Sequence, residues 1–292
     1  MPSLKSNAST LVLTNRQKVF WPEHGYTKGD LLDYYHDIAP VILPYLRDRP
    51  QSMHRHVDGY QGKEFWQRIS RDQPPWVQQA RVKTSGRSYE RPFNLTQDWP
   101  TLLWQVNFGC VELIPWVSRV ETLDWPDYLV IDLDPQDVPF RDVIQVAQGV
   151  HKLLDRMGAE SYPKTSGKRG LHVCVPLGRQ YLFTQAKLLG TIVARLVHQQ
   201  FPELTSLQPA KPGRIYIDVT RNARGQSLAA PYCVRPWPGA TVSTPLKWSE
   251  VKRGLDPAAF TIKTVHKRVD RLGDLWAPVL GKGIDLAALE AE

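Results

Sequence analysis

A chain of 292 residues, 42% apolar and 23% charged, is long enough to bury one large core or two subdomains and too apolar to be disordered as a whole. No apolar run approaches the roughly 20 residues of a membrane-spanning helix, and no basic N-terminus followed by an apolar stretch marks a secretion signal. The 37 Lys and Arg against 29 Asp and Glu give a formal charge of +8, which favours anionic partners, polyanions first. Three cysteines, Cys110, Cys174 and Cys233, lack the paired spacing of a disulfide framework or zinc site and fit a reducing, cytoplasmic setting.

In chain order, Thr27 to Asp30 reads as a capping signal for a helix whose apolar positions are Leu31, Leu32, Tyr35, Ile38 and Ile42, with Pro40 set to kink it. A mixed segment without clear periodicity follows. Asp98 then caps a second helical pattern, Leu102, Leu103, Val106 and Cys110, which leads to a turn at Pro115 and Trp116.

From Asp127 to Val219 the two periodicities alternate. Tyr128 to Asp134 is a strand ended by Pro135, with Leu129, Ile131 and Leu133 on one face and Val130, Asp132 and Asp134 on the other. An amphipathic helix from Phe140 to Met157 stops at Gly158. A short strand, Ser161 to Lys164, turns through Thr165 to Gly170 into Leu171 to Val175, where His172 opposes the apolar face. A second helix, Thr184 to Phe201, presents Leu188, Leu189, Ile192, Val193, Leu196 and Val197. The strand Arg214 to Val219 closes the set with Asp218 opposite its apolar face.

The order β-α-β-β-α-β is the split βαβ arrangement, an α/β (α+β) unit whose four-stranded, RRM-like sheet carries both helices on its apolar face. Its other face is expected to be polar and open, with Asp132, Asp134, His172 and Asp218 projecting onto it. Three carboxylates on one surface repel unless cations neutralise them. That pattern suits two Mg²⁺ or Mn²⁺ ions and in-line nucleotidyl transfer; solvated strand-end aspartates are the bland alternative. The turn Ser166-Gly-Lys-Arg-Gly170 offers backbone N–H groups, two cations and a hydroxyl suited to a triphosphate, or is simply a basic hairpin; its spacing is not that of a P-loop.

At these residues the chain resembles the polymerase domain of bacterial DNA ligase D, a branch of the archaeo-eukaryotic primase superfamily. The motifs that carry the resemblance run from Leu13-Thr-Asn-Arg-Gln-Lys-Val-Phe-Trp-Pro22 through Gly25-Tyr-Thr-Lys28, Glu64-Phe-Trp66, Ile131-Asp-Leu-Asp-Pro135, Lys164 to His172 and Ile217-Asp218 to Ala230-Pro-Tyr232 and Val242-Ser-Thr-Pro245. The resemblance implies one primase-polymerase domain over 1–292. Its parts are an N-terminal DNA-binding subdomain (about 1–126), a catalytic sheet (about 127–245) and a C-terminal helical extension (about 246–292). It implies a template-dependent nucleotidyltransferase that fills short gaps or extends ends in non-homologous end joining, usually favouring ribonucleotides and Mn²⁺. NTPs or dNTPs would be substrates, and DNA with a gap, overhang or 5′-phosphate the partner. Asp132, Asp134 and Asp218 would be the metal carboxylates, and Ser166, Arg169, His172 and Arg235 the nucleotide contacts. Asn15, Lys18 and Lys28 would grip a 5′-phosphate, and Phe65 and Trp66 would stack on template bases. Plain surface charge is the alternative reading of Lys18 and Lys28, and Phe65 and Trp66 read equally as core residues.

Three positions depart from the family pattern: Ile114 stands for a histidine, Arg169 for a common lysine and Gln226 for another lysine. The closest approach to the ligase K-x-D-G motif, His56-Val-Asp-Gly59, lacks the nucleophilic amine, so no ligase activity is expected. A Ku-like protein and a separate ATP-dependent ligase are the expected partners, in a cytoplasmic, nucleoid-associated setting without a membrane. The rival readings are a catalytically weak DNA-end-binding module and a stand-alone primase.

Overall fold

The computed structural model describes residues 11–84 and 88–288. Strands β1 (Val19–Trp21) and β2 (Tyr26–Thr27) pair antiparallel and deliver the chain into α1 (Lys28–Ile42). The expected cap is present: the Thr27 hydroxyl accepts from the Asp30 backbone N–H and the Asp30 carboxylate accepts from that of Thr27. The helix runs through Pro40 and ends two residues later in a 3-10 turn, Leu43–Tyr45.

The segment without clear periodicity is a second sheet: β3 (Gln51–His56), β4 (Glu64–Gln67), β5 (Gln79–Lys83), β6 (Glu90–Asn94) and, after α2 (Trp99–Asn107), β7 (Cys110–Pro115). Its order is β4-β3-β6-β5, with β7 also paired to β3. Two expectations need correction here. Helix α2 stops at Asn107 because Gly109 takes a φ of +92°, so Cys110 opens a strand instead of closing a helix. Pro115 ends that strand, and Trp116 bridges to Ser227 rather than turning.

The third part matches the expected topology: β8 (Tyr128–Gln136), α3 (Phe140–Arg156), β9 (Tyr162–Thr165), β10 (Leu171–Pro176), α4 (Phe183–Gln200), a two-residue β11 (Thr205–Ser206) and β12 (Arg214–Asp218). The sheet order is β11-β12-β8-β10-β9. Pro135 does not end β8, which continues to Gln136. Beyond Leu133 only β12 pairs with it, so the proline lies on a stretch with one open edge. A short helix, α5 (Val265–Leu272), follows. Among the described residues, no helix is long and apolar enough to cross a membrane.

Leu129, Ile131, Leu133, Leu171, Val173, Val175, Ile215 and Ile217 face α3 and α4 as expected and form one core. Each such side chain contributes roughly 1.5–3 kcal/mol by leaving water. The outward Leu188, Ile192 and Leu196 do not join it. Helix α4 instead turns its small Ala186, Gly190 and Ala194 inward, and a Cβ at Gly190 would meet Leu129 Cδ1 at 3.0 Å.

The opposite sheet face is not open. Tyr128, Val130 and Cys174 pack into a second core with α1, α2 and β7, because an apolar strand position needs cover on either face. Only the Asp132 end of that face remains uncovered by this core. There β12 stops opposite Asp132, and Asn222 takes its place beside Val130: its amide accepts from Val130 N at 2.8 Å and donates to Val130 O at 2.7 Å. Asn222→Ala leaves two buried backbone groups unpaired and is expected to cost about 2–4 kcal/mol, measured by urea unfolding.

Candidate active site

Antiparallel pairing sets Asp132 of β8 directly between His172 of β10 and Asp218 of β12, while Asp134 follows two residues along on the same face. The carboxylates perturb one another. Burial, then Asp134 and Asp218, push the Asp132 carboxyl up to about 7; burial, with help from Asp218, raises that of Asp134. Asp218 Oδ1 accepts from Thr220 N and Oγ1 at 2.7 and 2.6 Å, and Arg221 lies 4.0 Å from Oδ2. Three oxygen donors that disfavour one another's charge are a set that hard divalent cations relieve, so the residues fit Mg²⁺ or Mn²⁺.

His172 is 3% exposed rather than on an open surface. Its Nδ1 faces Lys164 Nζ at 2.8 Å and its Nε2 lies 3.4 Å from Asp132 Oδ1. A donating Lys164 therefore puts the imidazole proton on Nε2, toward the aspartate. Burial, then Lys164 and the nearby arginines, holds His172 well below the usual imidazole range. Lys164 is the residue that sequence reading missed. It is fully buried, donates to Ala229 O and Ser243 Oγ at 3.2 and 2.5 Å, and burial brings its ammonium down to about 7.

This lysine gives a pH signature. Below pH 7 both states carry the proton and the folded state bears the full cost of burying it; between about 7 and 10.5 the unfolded chain holds more protons, so stability rises with pH. The stability difference between the unmodified protein and Lys164→Met should shift against the former by up to ~1.4 kcal/mol per pH unit as pH falls from 10 toward 7, read from parallel denaturation curves.

The turn between β9 and β10 is held from within. The Ser166 hydroxyl accepts from the N–H groups of Lys168 and Gly170 at 3.1 and 3.0 Å. Gly167 has a φ of +73°, and a Cβ there would strike Arg235 and the backbone of Ser243. Arg235 donates to Ser166 O, and its Nε lies 2.7 Å from Glu112 Oε1 of β7 as an ion pair without hydrogen-bond geometry. Burial works against the Glu112 carboxylate, but Arg235 and a bond from His54 keep its pKa below the ordinary value.

A cleft of about 220 Å³ lies between the two sheets, lined among others by Asp132, Lys168, His172, Arg221, Arg235, Glu112, Ile114, His54 and Trp66. Lys168 is thus on the cleft wall, whereas Arg169 is half exposed and reaches Asp137 at 4.0 Å outside it. Both cations also line a neighbouring pocket beside Asp137 and Val138, and the Arg169 charge acts to lower the Asp134 carboxyl. Ile114, one of the departures from the family pattern, does face the cleft, while Gln226 is exposed.

Phe65 and Trp66 are 39% and 60% exposed on β4, the end strand of its sheet, so neither is core. Trp66 stacks on His54 with centroids 4.2 Å apart. At a distance from the cleft, Asn15 adopts a φ of +54° and its carbonyl accepts from Lys18 N, while Lys18 O accepts from Lys28 N. Lys18 Nζ pairs with Asp58 at 2.6 Å. Lys28 is 5% exposed, its Nζ bonded to Thr14 O at 2.7 Å, with no carboxylate beside it among the described residues.

The chain from residue 27 to residue 276 matches the family model of the LigD primase-polymerase domain. It is 30% identical over 271 residues to the bifunctional non-homologous end joining protein LigD of Bacillus subtilis (strain 168), covering 90% of this chain and 43% of that protein. It is 30% identical over 276 residues to the multifunctional LigD of Mycolicibacterium smegmatis, covering 91% and 36%. The chain therefore spans less than half the length of these relatives. Among solved structures, the polymerase domain of Mycobacterium tuberculosis Ligase D in complex with DNA superposes with a TM-score of 0.85 at 28% identity, covering 94% of this chain and 99% of that one. The chain belongs to the LigD primase-polymerase domain family, a family of DNA-directed nucleotidyltransferases.

Proposed function

We propose that this chain adds nucleotides to DNA ends under template direction, filling short gaps or extending overhangs in non-homologous end joining. The observation that carries this reading is the row His172, Asp132, Asp218 across β10, β8 and β12, of which His172 and Asp132 line a cleft shared with Lys168 and Arg235. Asp132, Asp134 and Asp218 would hold two Mn²⁺ or Mg²⁺ ions, which when bound activate a 3′-hydroxyl and neutralise the leaving pyrophosphate.

The chain's own groups supply the rest. His172 turns its Nε2 proton toward the reaction face, and Lys164 keeps it there. Lys168 and Arg235 offer fixed positive charge for a triphosphate, with Arg235 aimed by Glu112. Ser166 shapes the turn through its hydroxyl, and Arg169 adds charge from outside the cleft. Phe65 and Trp66 provide exposed stacking area for template bases, and Asn15, Lys18 and Lys28 a pocket for the 5′-phosphate across the gap. A preference for ribonucleotides follows from the family alone. A Ku-like protein to hold the ends and an ATP-dependent ligase to seal them complete the proposed pathway.

The test is extension of a labelled primer across a short gap bearing a 5′-phosphate, with Mn²⁺ or Mg²⁺ and either NTPs or dNTPs. Template-directed addition is expected. Binding without addition under any metal would leave a DNA-end-binding module, and primer-free dinucleotide synthesis would reveal a primase.

A further inference from the structure

We propose that His54, His56 and Glu64 form a binding site for a first-row transition metal, Zn²⁺ foremost, distinct from the three aspartates. Residues two apart on β3 share a face, and β4 pairs with it so that Glu64 stands opposite His56 and Trp66 opposite His54. One ligand atom from each of the three residues lies within 4.8 Å of the other two. The His54 Nε2 to Glu64 Oε2 separation is 2.9 Å, and the two imidazoles meet edge to face at 4.5 Å. Two imidazoles and one carboxylate suit Zn²⁺ with a position left open, whereas Mg²⁺ prefers an all-oxygen shell.

His56 is the strongest sign. It is 3% exposed, yet among the described residues neither of its ring nitrogens has a hydrogen-bond partner. A buried imidazole left without partners is destabilising, and a metal on one nitrogen gives that atom a partner. His54 is prepared in the complementary way. Its Nδ1 bonds Glu112 Oε2 at 3.0 Å and its ring stacks on Trp66, the carboxylate-to-imidazole arrangement that fixes a ligating Nε2. Glu64 has a 60% exposed side chain, which leaves the site accessible from solvent. A bound ion would tie β4 to β3 and hold Trp66 at the mouth of the cleft.

The site is tested apart from polymerase activity, in the Asp132→Ala, Asp218→Ala double variant, which removes two of the competing carboxylates. Metal-free protein is titrated with Zn²⁺ against a chromophoric chelator, and with Co²⁺ while its visible ligand-field bands are followed. One ion per chain is expected, with bands of four- or five-coordinate Co²⁺ and a melting temperature that Zn²⁺ raises. Adding His56→Gln or Glu64→Gln should weaken binding at least about tenfold and abolish the Zn²⁺ shift in melting. Glu64 is exposed, so its variant folds even where His56→Gln does not. Unchanged affinity in Glu64→Gln and in folded His56→Gln, or no uptake by the parent at a large excess of metal, overturns the proposal.

Discussion

Asp132→Ala should lower template-directed primer extension by at least about a thousandfold, a loss of about 4 kcal/mol of transition-state stabilisation, with Asp218→Ala close behind. Asp132 is the shared neighbour: it faces Asp218 across one strand pair and His172 across the other, so removing it takes a donor from the middle of the metal set. The same substitution should not unfold the protein. Burial and two flanking carboxylates already disfavour the ionised Asp132, and an alanine removes that repulsion. The expected variant is therefore inactive, at least as stable in thermal melting, and still able to bind gapped DNA, because Phe65, Trp66 and the Lys28 pocket lie on other elements. Extension at the unmodified rate in both variants would refute the assignment. Loss of DNA binding together with activity would mean that the aspartates shape the DNA surface rather than the chemistry.

The half of the fold that holds Asp132 was legible because its strands alternate strictly. Leu129, Ile131 and Leu133 point one way and the aspartates the other, and the hairpin from β9 to β10 pairs His172 with Lys164 by simple counting once its turn is placed. That count was available in the sequence and would have found Lys164. Arg169 shares one pocket with Lys168, but only Lys168 also lines the cleft with Asp132 and His172, a distinction that sequence spacing does not carry. The second sheet was illegible for a physical reason. Residues of β4 and β5 are mostly exposed, so Glu64-Phe-Trp-Gln67 and Gln79-Ala-Arg-Val-Lys83 lack the apolar alternation by which strands are recognised. The proposed His54, His56 and Glu64 site depends on that sheet's register, and so stayed hidden with it. Helix α4 was legible in part: Leu189, Val193 and Val197 are buried as read, while Leu188, Ile192 and Leu196 are exposed and the small Ala186, Gly190 and Ala194 face inward instead.

Lys28→Met should abolish most of the preference for a 5′-phosphorylated gap over an unphosphorylated one while leaving extension of an open primer end nearly unchanged. The physical basis is a mismatch of charge. Lys18 has Asp58 as its partner, but among the described residues the buried Lys28 has only Thr14 oxygens, and burial together with Lys18 lowers its pKa. An ammonium kept there without a counter-ion is held at a cost that a bound anion repays, and a terminal phosphate brings both charge and acceptors. Close packing supports the pocket: a Cβ at Gly29 would approach Arg16 O to 2.9 Å, so the loop from Asn15 to Lys18 lies directly on the start of α1. A charge-assisted contact of about 1.5–3 kcal/mol corresponds to a loss of phosphate preference of roughly 10- to 150-fold, measured as the ratio of dissociation constants for the two gaps. Because methionine retains the apolar stem and ends the desolvation of the ammonium, the variant should melt no lower than the parent. Its affinity for the phosphorylated gap should also fall less steeply with added salt, as one ionic contact fewer requires. An unaltered preference would assign the phosphate to another surface and make Lys28 a structural residue of the α1 start.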